Sequence, residues 1–303
     1  MYDLIIIGAG PAGLTSTIYA LRSNLNTLII ESDNPGGKLT KTFKIENYPG
    51  FKEINGYELA NDFIEHVKKF NADIYNGQVN KINKKDGYFD VVLDGDKTYQ
   101  AKAAIVASGT KERELDLENA KEYTGRGISY CAVCDGFFYR KKDVVVIGGG
   151  NSALEEALYL SSIVNKVTII IRRDEFRAEK GVVQEVLNKD NIEIIKNVAP
   201  YKLQIENDRI TGLIIKDVNN NVTTKINCVG IFPYIGASPN TSFLDNNLLD
   251  DKGYLIVDKD MSTKIKGIYG AGDVTNKDLR QIVTATNDGA IAANSVIKYL
   301  KRI

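Results

Sequence analysis

One piece of chain grammar occurs twice in this sequence, and no other feature constrains the fold as tightly. Leu4-Ile5-Ile6-Ile7 is a continuous apolar run, the pattern of a parallel strand buried on both faces. It leads into Gly8-Ala9-Gly10-Pro11-Ala12-Gly13 and a helix expected over residues 11–22. A second apolar run, Thr27-Leu28-Ile29-Ile30, ends at Glu31. The same order returns about 140 residues later. Val144-Val145-Val146-Ile147 is followed by Gly148-Gly149-Gly150-Asn151-Ser152-Ala153, a helix expected over 153–161, and Val167-Thr168-Ile169-Ile170-Ile171 ending at Arg172-Arg173. Each copy reads as a βαβ unit with a right-handed crossover. The repeat implies two nucleotide sites rather than one long domain.

Each copy is followed by a hairpin signal. Residues 88–93 and 98–101 alternate around Asp94-Gly95-Asp96, and residues 210–216 and 222–226 flank Asn219-Asn220-Asn221. Further strands are expected over 226–231 and around Gly267-Ile268-Tyr269-Gly270. Residues 281–303 read as a long last helix, with Lys298, Lys301 and Arg302 where cations suit the macrodipole. The expected class is α/β: two Rossmann-like, three-layer nucleotide-binding domains, each with an attached β-meander. If the last helix belongs with the first unit, the second domain is an insertion in the first.

At 303 residues the chain is about twice a typical domain. With 39 basic and 39 acidic residues and no basic block, nucleic acid is excluded as a main partner. No apolar run approaches the roughly eighteen residues that span a bilayer, which excludes a membrane protein of that kind. Met1-Tyr2-Asp3 runs directly into a strand and leaves no room for a signal peptide, so a cytoplasmic protein is expected. Three cysteines, one of them unpaired, do not make a disulfide-stapled scaffold.

A glycine-rich turn alone is a weak signal, but here a strand precedes it, a helix follows, and Glu31 stands 23 residues past Gly8. The glycines let the backbone approach a pyrophosphate, and Glu31 can accept hydrogen bonds from ribose hydroxyls. At the equivalent place in the second copy stand Arg172 and Arg173, with Arg177 one turn on. Guanidinium groups bind a 2′-phosphate bidentately, which selects NADP(H) over NAD(H). The competing explanation is a solvated basic face on a surface loop.

Cys131-Ala132-Val133-Cys134 admits three readings. Zinc would require Cys131, Cys134, Cys228 and the single His66 at unrelated spacings, so no metal is expected. Inert core cysteines fit poorly with Gly125-Arg126-Gly127 before the pair and Asp135-Gly136 after it. A redox pair fits best, with a reactive thiolate at a helix N-terminus. Asp135 can donate or accept a proton in that chemistry, and it also suits the first turn of a helix as a charge. His66 reads as a surface residue and Cys228 as a small buried hydrophobe. Two nucleotide sites and a dithiol suggest electrons passing from nicotinamide through flavin to a disulfide.

Taken together, these residues resemble the low-molecular-weight thioredoxin reductases over essentially the whole chain. The resemblance is carried by Gly36-Gly37-Lys38-Leu39, Glu46-Asn47-Tyr48-Pro49-Gly50-Phe51, Ala107-Ser108-Gly109-Thr110, the Cys131–Gly136 segment, Arg172–Ala178, and Gly270-Ala271-Gly272-Asp273 with Arg280-Gln281. It implies FAD in a discontinuous domain, 1–112 with 242–303, and NADPH in an inserted domain, 113–241, that carries the dithiol. FAD would meet Gly8, Gly10, Pro11, Ala12, Gly13, Glu31, Gly36, Gly37, Lys38, Leu39, Asn47, Gly109, Gly272, Asp273, Arg280, Gln281 and Ile282. NADPH would meet Gly148, Gly150, Asn151, Ser152, Arg172, Arg173 and Arg177. The implied catalytic residues are Cys131, which attacks the partner's disulfide, Cys134, which takes electrons from the flavin, and Asp135.

The resemblance also implies a homodimer, thioredoxin as partner near residues 127–139, and a domain swivel with linkers at 111–113 and 236–241. Lys38, Ile171, Ala237 and Thr286-Asn287-Asp288-Gly289 depart from the family pattern. Ile171 puts one phosphate-side contact in question, although both arginines remain. Within the same class, the partner could be a glutaredoxin-like carrier or a peroxiredoxin system. A ferredoxin–NADP reductase of this architecture would lack the dithiol. From another class, a flavin-bound sensor with a dithiol switch remains an alternative.

Overall fold

The computed structural model describes residues 1–72 and 74–302. By packing, the chain divides into Met1–Lys111 with Ser238–Ile303, and Glu112–Ala237. The first crossing therefore lies one residue earlier than expected and the second four residues earlier. Asn240 and Thr241 go with the first unit because their bonds are there. The Asn240 side chain donates to Ser108 O at 2.9 Å, Ser108 Oγ donates to Asn240 O at 2.7 Å, and Thr241 Oγ1 donates to Gly253 O at 2.8 Å.

The first unit opens with β1 (Tyr2–Ile7), α1 (Pro11–Arg22), β2 (Thr27–Glu31), α2 (Gly56–Lys68), β3 (Ile74–Asn76), β4 (Val79–Lys84), β5 (Phe89–Leu93) and β6 (Thr98–Val106), and β7 (Thr110–Glu112) crosses into the second. The second unit holds α3 (Ala132–Asp135), β8 (Asp143–Ile147), α4 (Asn151–Ser161), β9 (Lys166–Ile170), α5 (Lys180–Leu187), β10 (Ile192–Ile195), β11 (Val198–Glu206), β12 (Arg209–Asp217), β13 (Thr223–Asn227), β14 (Gly230–Pro233) and the start of β15 (Ala237–Pro239). The chain then returns to the first unit for β16 (Ile268–Gly270) and α6 (Ile282–Leu300). The two crossing segments, β7 and β15, form a two-stranded ribbon. No helix among the described residues is long and apolar enough to cross a membrane.

In the first unit β1 pairs in parallel with β2 on one side and β6 on the other. Alternate residues of β1 face opposite ways, as the two-residue period of a strand requires. Leu4 and Ile6 join Ala12, Ala292 and Val296 from α1 and α6, whereas Ile5 and Ile7 join Phe89, Val91 and Leu93 of the meander. The second unit repeats this division. Its sheet, β10-β9-β8-β14, is parallel throughout. Val144 and Val146 face Ala153, Leu154 and Leu160 of α4, and Val145 and Ile147 face Leu203, Leu213 and Ile215 of the meander. Both copies are thus layered as helices, parallel sheet and meander.

The two meanders differ from the expectation of equal hairpins. In the first unit β6 is a single long strand. Its residues Thr98–Ala101 pair antiparallel with β5, while Ala104–Val106 pair in parallel with β16, so meander and parallel sheet are continuous. In the second unit β11-β12-β13 is a separate sheet. The strand expected over 226–231 is broken: β13 ends at Asn227, β14 starts at Gly230, and Cys228 lies buried between them. Burial pushes its thiol up to about 12, in keeping with an inert hydrophobe. His66 is exposed in the last turn of α2.

Candidate functional site

The first glycine turn is shaped by close approach. A Cβ on Gly8, which has φ +106°, would sit 2.3 Å from Ala107 O, and one on Gly13 would sit 1.8 Å from Gly8 O. Gly10 differs, because a Cβ there meets nothing within 4 Å. Gly10 is also the N-cap of α1 and offers the helix no side-chain bond, with Pro11 at the first helical position. The N–H donors of the first turn therefore receive no side-chain cap, and the space beside Gly10 is open, an arrangement that suits a phosphate. Glu31 at the end of β2 takes the N–H of Ala9 at 2.7 Å, of Ser32 at 2.8 Å and of Asp33 at 2.9 Å. Its carboxylate is fixed by the backbone and keeps lone pairs for a further donor.

Of the other first-unit candidates, Gly36, Gly37 and Gly272 approach this turn, and others bond among themselves. Gly36 donates to Ala9 O at 2.8 Å, and a Cβ on Gly37 would lie 3.2 Å from the Gly10 Cα. Leu39 packs with Ile282, and the Asn47 side chain donates to Gln281 Oε1 at 3.2 Å. A Cβ on Gly272, φ +80°, would lie 2.8 Å from the Ala12 Cβ. Burial pushes the Asp273 carboxyl up, against the opposing pull of Lys38, Lys277 and Arg280. Arg280 donates to Asp273 O and Thr275 O and stacks 4.0 Å from the Tyr254 ring. Gly109 follows β6 with φ +63°.

The second glycine turn is a near copy. A Cβ on Gly148, φ +142°, would lie 2.3 Å from Tyr234 O, and one on Gly150, the uncapped N-cap of α4, meets nothing within 4 Å. Asn151 and Ser152 open α4. The loop bearing Arg172, Arg173 and Arg177 is strapped to this turn. The Arg177 N–H donates to Gly149 O at 2.7 Å, and Asn151 and Glu179 exchange bonds of 2.9 and 2.8 Å. All three arginines are exposed, and none is in an ion pair among the described residues. Ile171 is buried in the core beneath α4, so it serves packing where a contact to phosphate was in question.

Cys131 and Cys134 form a disulfide, with Cα atoms 5.3 Å apart. The helix expected behind them is a single turn, α3, whose N-cap is Cys131; its sulfur accepts the Cys134 N–H at 3.1 Å. Sulfur stabilisation therefore comes from one local donor more than from a macrodipole. Asp135 lies half-buried, its Oδ2 accepting the Ser129 hydroxyl at 2.7 Å, while Ser129 Oγ accepts the Cys131 N–H at 3.1 Å. The Ala132 N–H donates to the Tyr234 hydroxyl at 3.1 Å, and burial pushes that phenol up.

Ser129, Tyr234 and a third residue, Glu156 of α4, carried no sequence signal. Glu156 has one carboxyl oxygen, Oε2, shut off from solvent and without a hydrogen-bond partner among the described residues. Burial first, then the charges of Glu155 and Glu112, push its carboxyl up to about 8.

Comparison with known proteins places this geometry. The family described as pyridine nucleotide-disulphide oxidoreductase matches residues 2–289. The chain is 41% identical over 304 residues to a thioredoxin reductase of Bacillus subtilis, covering all of this chain and 96% of that protein. It superposes on the crystal structure of Lactococcus lactis thioredoxin reductase with a TM-score of 0.98 and 38% identity, all of both chains being covered. A ferredoxin-flavin thioredoxin reductase from Clostridium acetobutylicum matches at a TM-score of 0.55 and 31% identity, covering all of this chain and 99% of that one. The chain belongs to the pyridine nucleotide-disulphide oxidoreductases, in the low-molecular-weight thioredoxin reductase family.

Proposed function

We propose that this oxidoreductase passes electrons from NADPH through FAD and the Cys131–Cys134 dithiol to the disulfide of thioredoxin. The observation that carries the reading is the Cys131–Cys134 disulfide, set in the same unit as the second glycine turn. FAD would be held by the first unit, on the Gly8–Gly13 turn, Glu31, Gly36–Leu39, Asn47, Gly109 and the Gly272–Ile282 segment. NADPH would be held by the second, with its pyrophosphate at Gly148–Ser152 and its 2′-phosphate at Arg172, Arg173 and Arg177. The open space at Gly10 and Gly150 and the uncapped helices behind them fit a pyrophosphate at each turn. When bound, the two cofactors supply a hydride donor and a two-electron relay.

Two electrons open the Cys131–Cys134 bond. Cys131, as thiolate, attacks the partner's disulfide, and the partner's leaving sulfur departs as thiolate and takes a proton. Cys134 then attacks the Cys131 sulfur, which re-forms the bond and frees the partner as a dithiol. Asp135, anchored by Ser129, is placed to hold a proton during this exchange. Phe137 and Phe138, three and four residues past Cys134 and 67% and 71% exposed, offer a partner an apolar surface. The reading includes a cytoplasmic homodimer.

An anaerobic titration tests it. NADPH should bleach a bound flavin and deliver two further electrons to the dithiol, and the reduced protein should then reduce thioredoxin. Protein that takes up no FAD, or that works better with NADH than with NADPH, overturns the reading.

A further inference from the structure

Asp288 of α6 is the one charged residue buried among the described residues, 4% exposed. Its Oδ2 accepts the backbone N–H of Gly272 at 3.0 Å and pairs with Lys277 Nζ, whose side chain is only 17% exposed. The same Nζ reaches Thr284 O at 3.4 Å. A buried carboxylate without its cation is strongly destabilising, whereas the intact pair adds little stability over an apolar replacement. Retaining such a pair makes sense where it fixes geometry.

What it fixes is the turn from Gly272 to Gln281. Gly272 rests on Ala12 beside the first glycine turn, and Gly289, next to Asp288, packs against Ala12 O. Asp273 follows Gly272 directly, and Lys277 is one of the three cations facing it. Arg280 closes the far side of the turn through Asp273 O and Thr275 O. Lys277 is thus paired with the carboxylate buried in α6, and its charge also acts on the Asp273 carboxyl.

We propose that Lys277 and Asp288 are positioning residues for the flavin nucleotide, their ion pair holding the Gly272–Gln281 turn and Asp273 in the binding conformation. The proposal rests on the reading of the first unit as the FAD site.

FAD binding to the deflavinated full chain tests this, read as the dissociation constant and the visible flavin spectrum, with far-UV circular dichroism to follow folding. Lys277→Met should weaken FAD binding at least about tenfold, since it strands the buried carboxylate. Lys277→Arg should bring the constant back to within about threefold of wild type. The double variant Lys277→Met with Asp288→Asn, which removes both charges, should bind FAD more tightly than Lys277→Met alone. Wild-type affinity and spectrum in Lys277→Met overturn the proposal. So does a loss that neither Lys277→Arg nor the double variant relieves. A wild-type chain that takes up no FAD overturns the flavin reading itself, a result distinct from wild-type binding that Lys277→Met leaves untouched.

Discussion

Single side chains decide the chemistry of the dithiol turn. Cys131→Ser and Cys134→Ser each leave only one thiol of the pair, so neither can complete the exchange. Thioredoxin turnover should fall at least about a thousandfold in both, while NADPH still bleaches the flavin. A variant that keeps turning over sinks the electron route. Asp135→Asn keeps an acceptor for the Ser129 hydroxyl but not the carboxylate, and should slow turnover about a hundredfold. Full activity across the pH range would remove Asp135 from the proton path. Glu156 supplies a test in stability. Its carboxyl is pushed up to about 8 in the folded chain, above the ordinary glutamate value. Below the ordinary value, folded and unfolded chains both hold the proton. Between there and about 8 only the folded chain holds it, so unfolding releases a proton and stability drops as pH rises. Glu156→Gln titrates in neither state and should gain on wild type between pH 6 and 8, by up to about 1.4 kcal/mol per unit. Urea midpoints at the two pH values measure it, and an equal difference at both would refute the burial argument.

At the scale of elements, the glycines separate packing from binding. A Cβ on Gly289 would lie 2.3 Å from the Ala12 backbone oxygen, which has no flexible end to move aside, and Ser16 Oγ donates to Gly289 O at 3.0 Å across the same α1–α6 contact. Gly289→Ala should cost roughly 1–3 kcal/mol of stability. Gly10 has φ −80° and open space, so Gly10→Ala should leave the unfolding midpoint of the flavin-free chain unchanged while weakening FAD binding. Loss of stability in Gly10→Ala, or intact FAD binding, would count against a phosphate at that turn. This contrast also marks what the sequence could reveal. The β1–α1–β2 and β8–α4–β9 units were legible because continuous apolar runs and glycine turns are local signals. The opening meander strands were not. Val79-Asn80-Lys81-Ile82-Asn83-Lys84 is half exposed and lacks a two-residue apolar period, and β11 carries Pro200 beside a break in register. Ser129, Tyr234 and the Lys277–Asp288 pair stayed hidden for a different reason. Their partners are set by the tertiary fold, and nothing in their own neighbourhoods announces a buried bond.

At the scale of the molecule, the internal repeat extends to how the two cores are built. Each unit has a helix-facing and a meander-facing core of its own, so each can be stabilised by its own ligand. A ligand that binds only the native state raises stability by about 2.7 kcal/mol at a hundred times its dissociation constant. The chain lacks tryptophan, which makes calorimetry a better probe than intrinsic fluorescence. FAD added to the flavin-free chain should raise the unfolding transition of the first unit, and NADP+ that of the second. Replacing Arg172 and Arg173 together by Ala removes the charge that suits a 2′-phosphate without touching the strap between Asn151 and Glu179. In that variant the shift with NADP+ should shrink, KM for NADPH should rise roughly 10–100-fold, and the shift with FAD should remain whole. If FAD and NADP+ move one and the same transition, the two units unfold as a single cooperative body. If the double variant responds to NADP+ like wild type, the exposed arginines are a solvated face, and the choice of NADPH over NADH must lie elsewhere in the second unit.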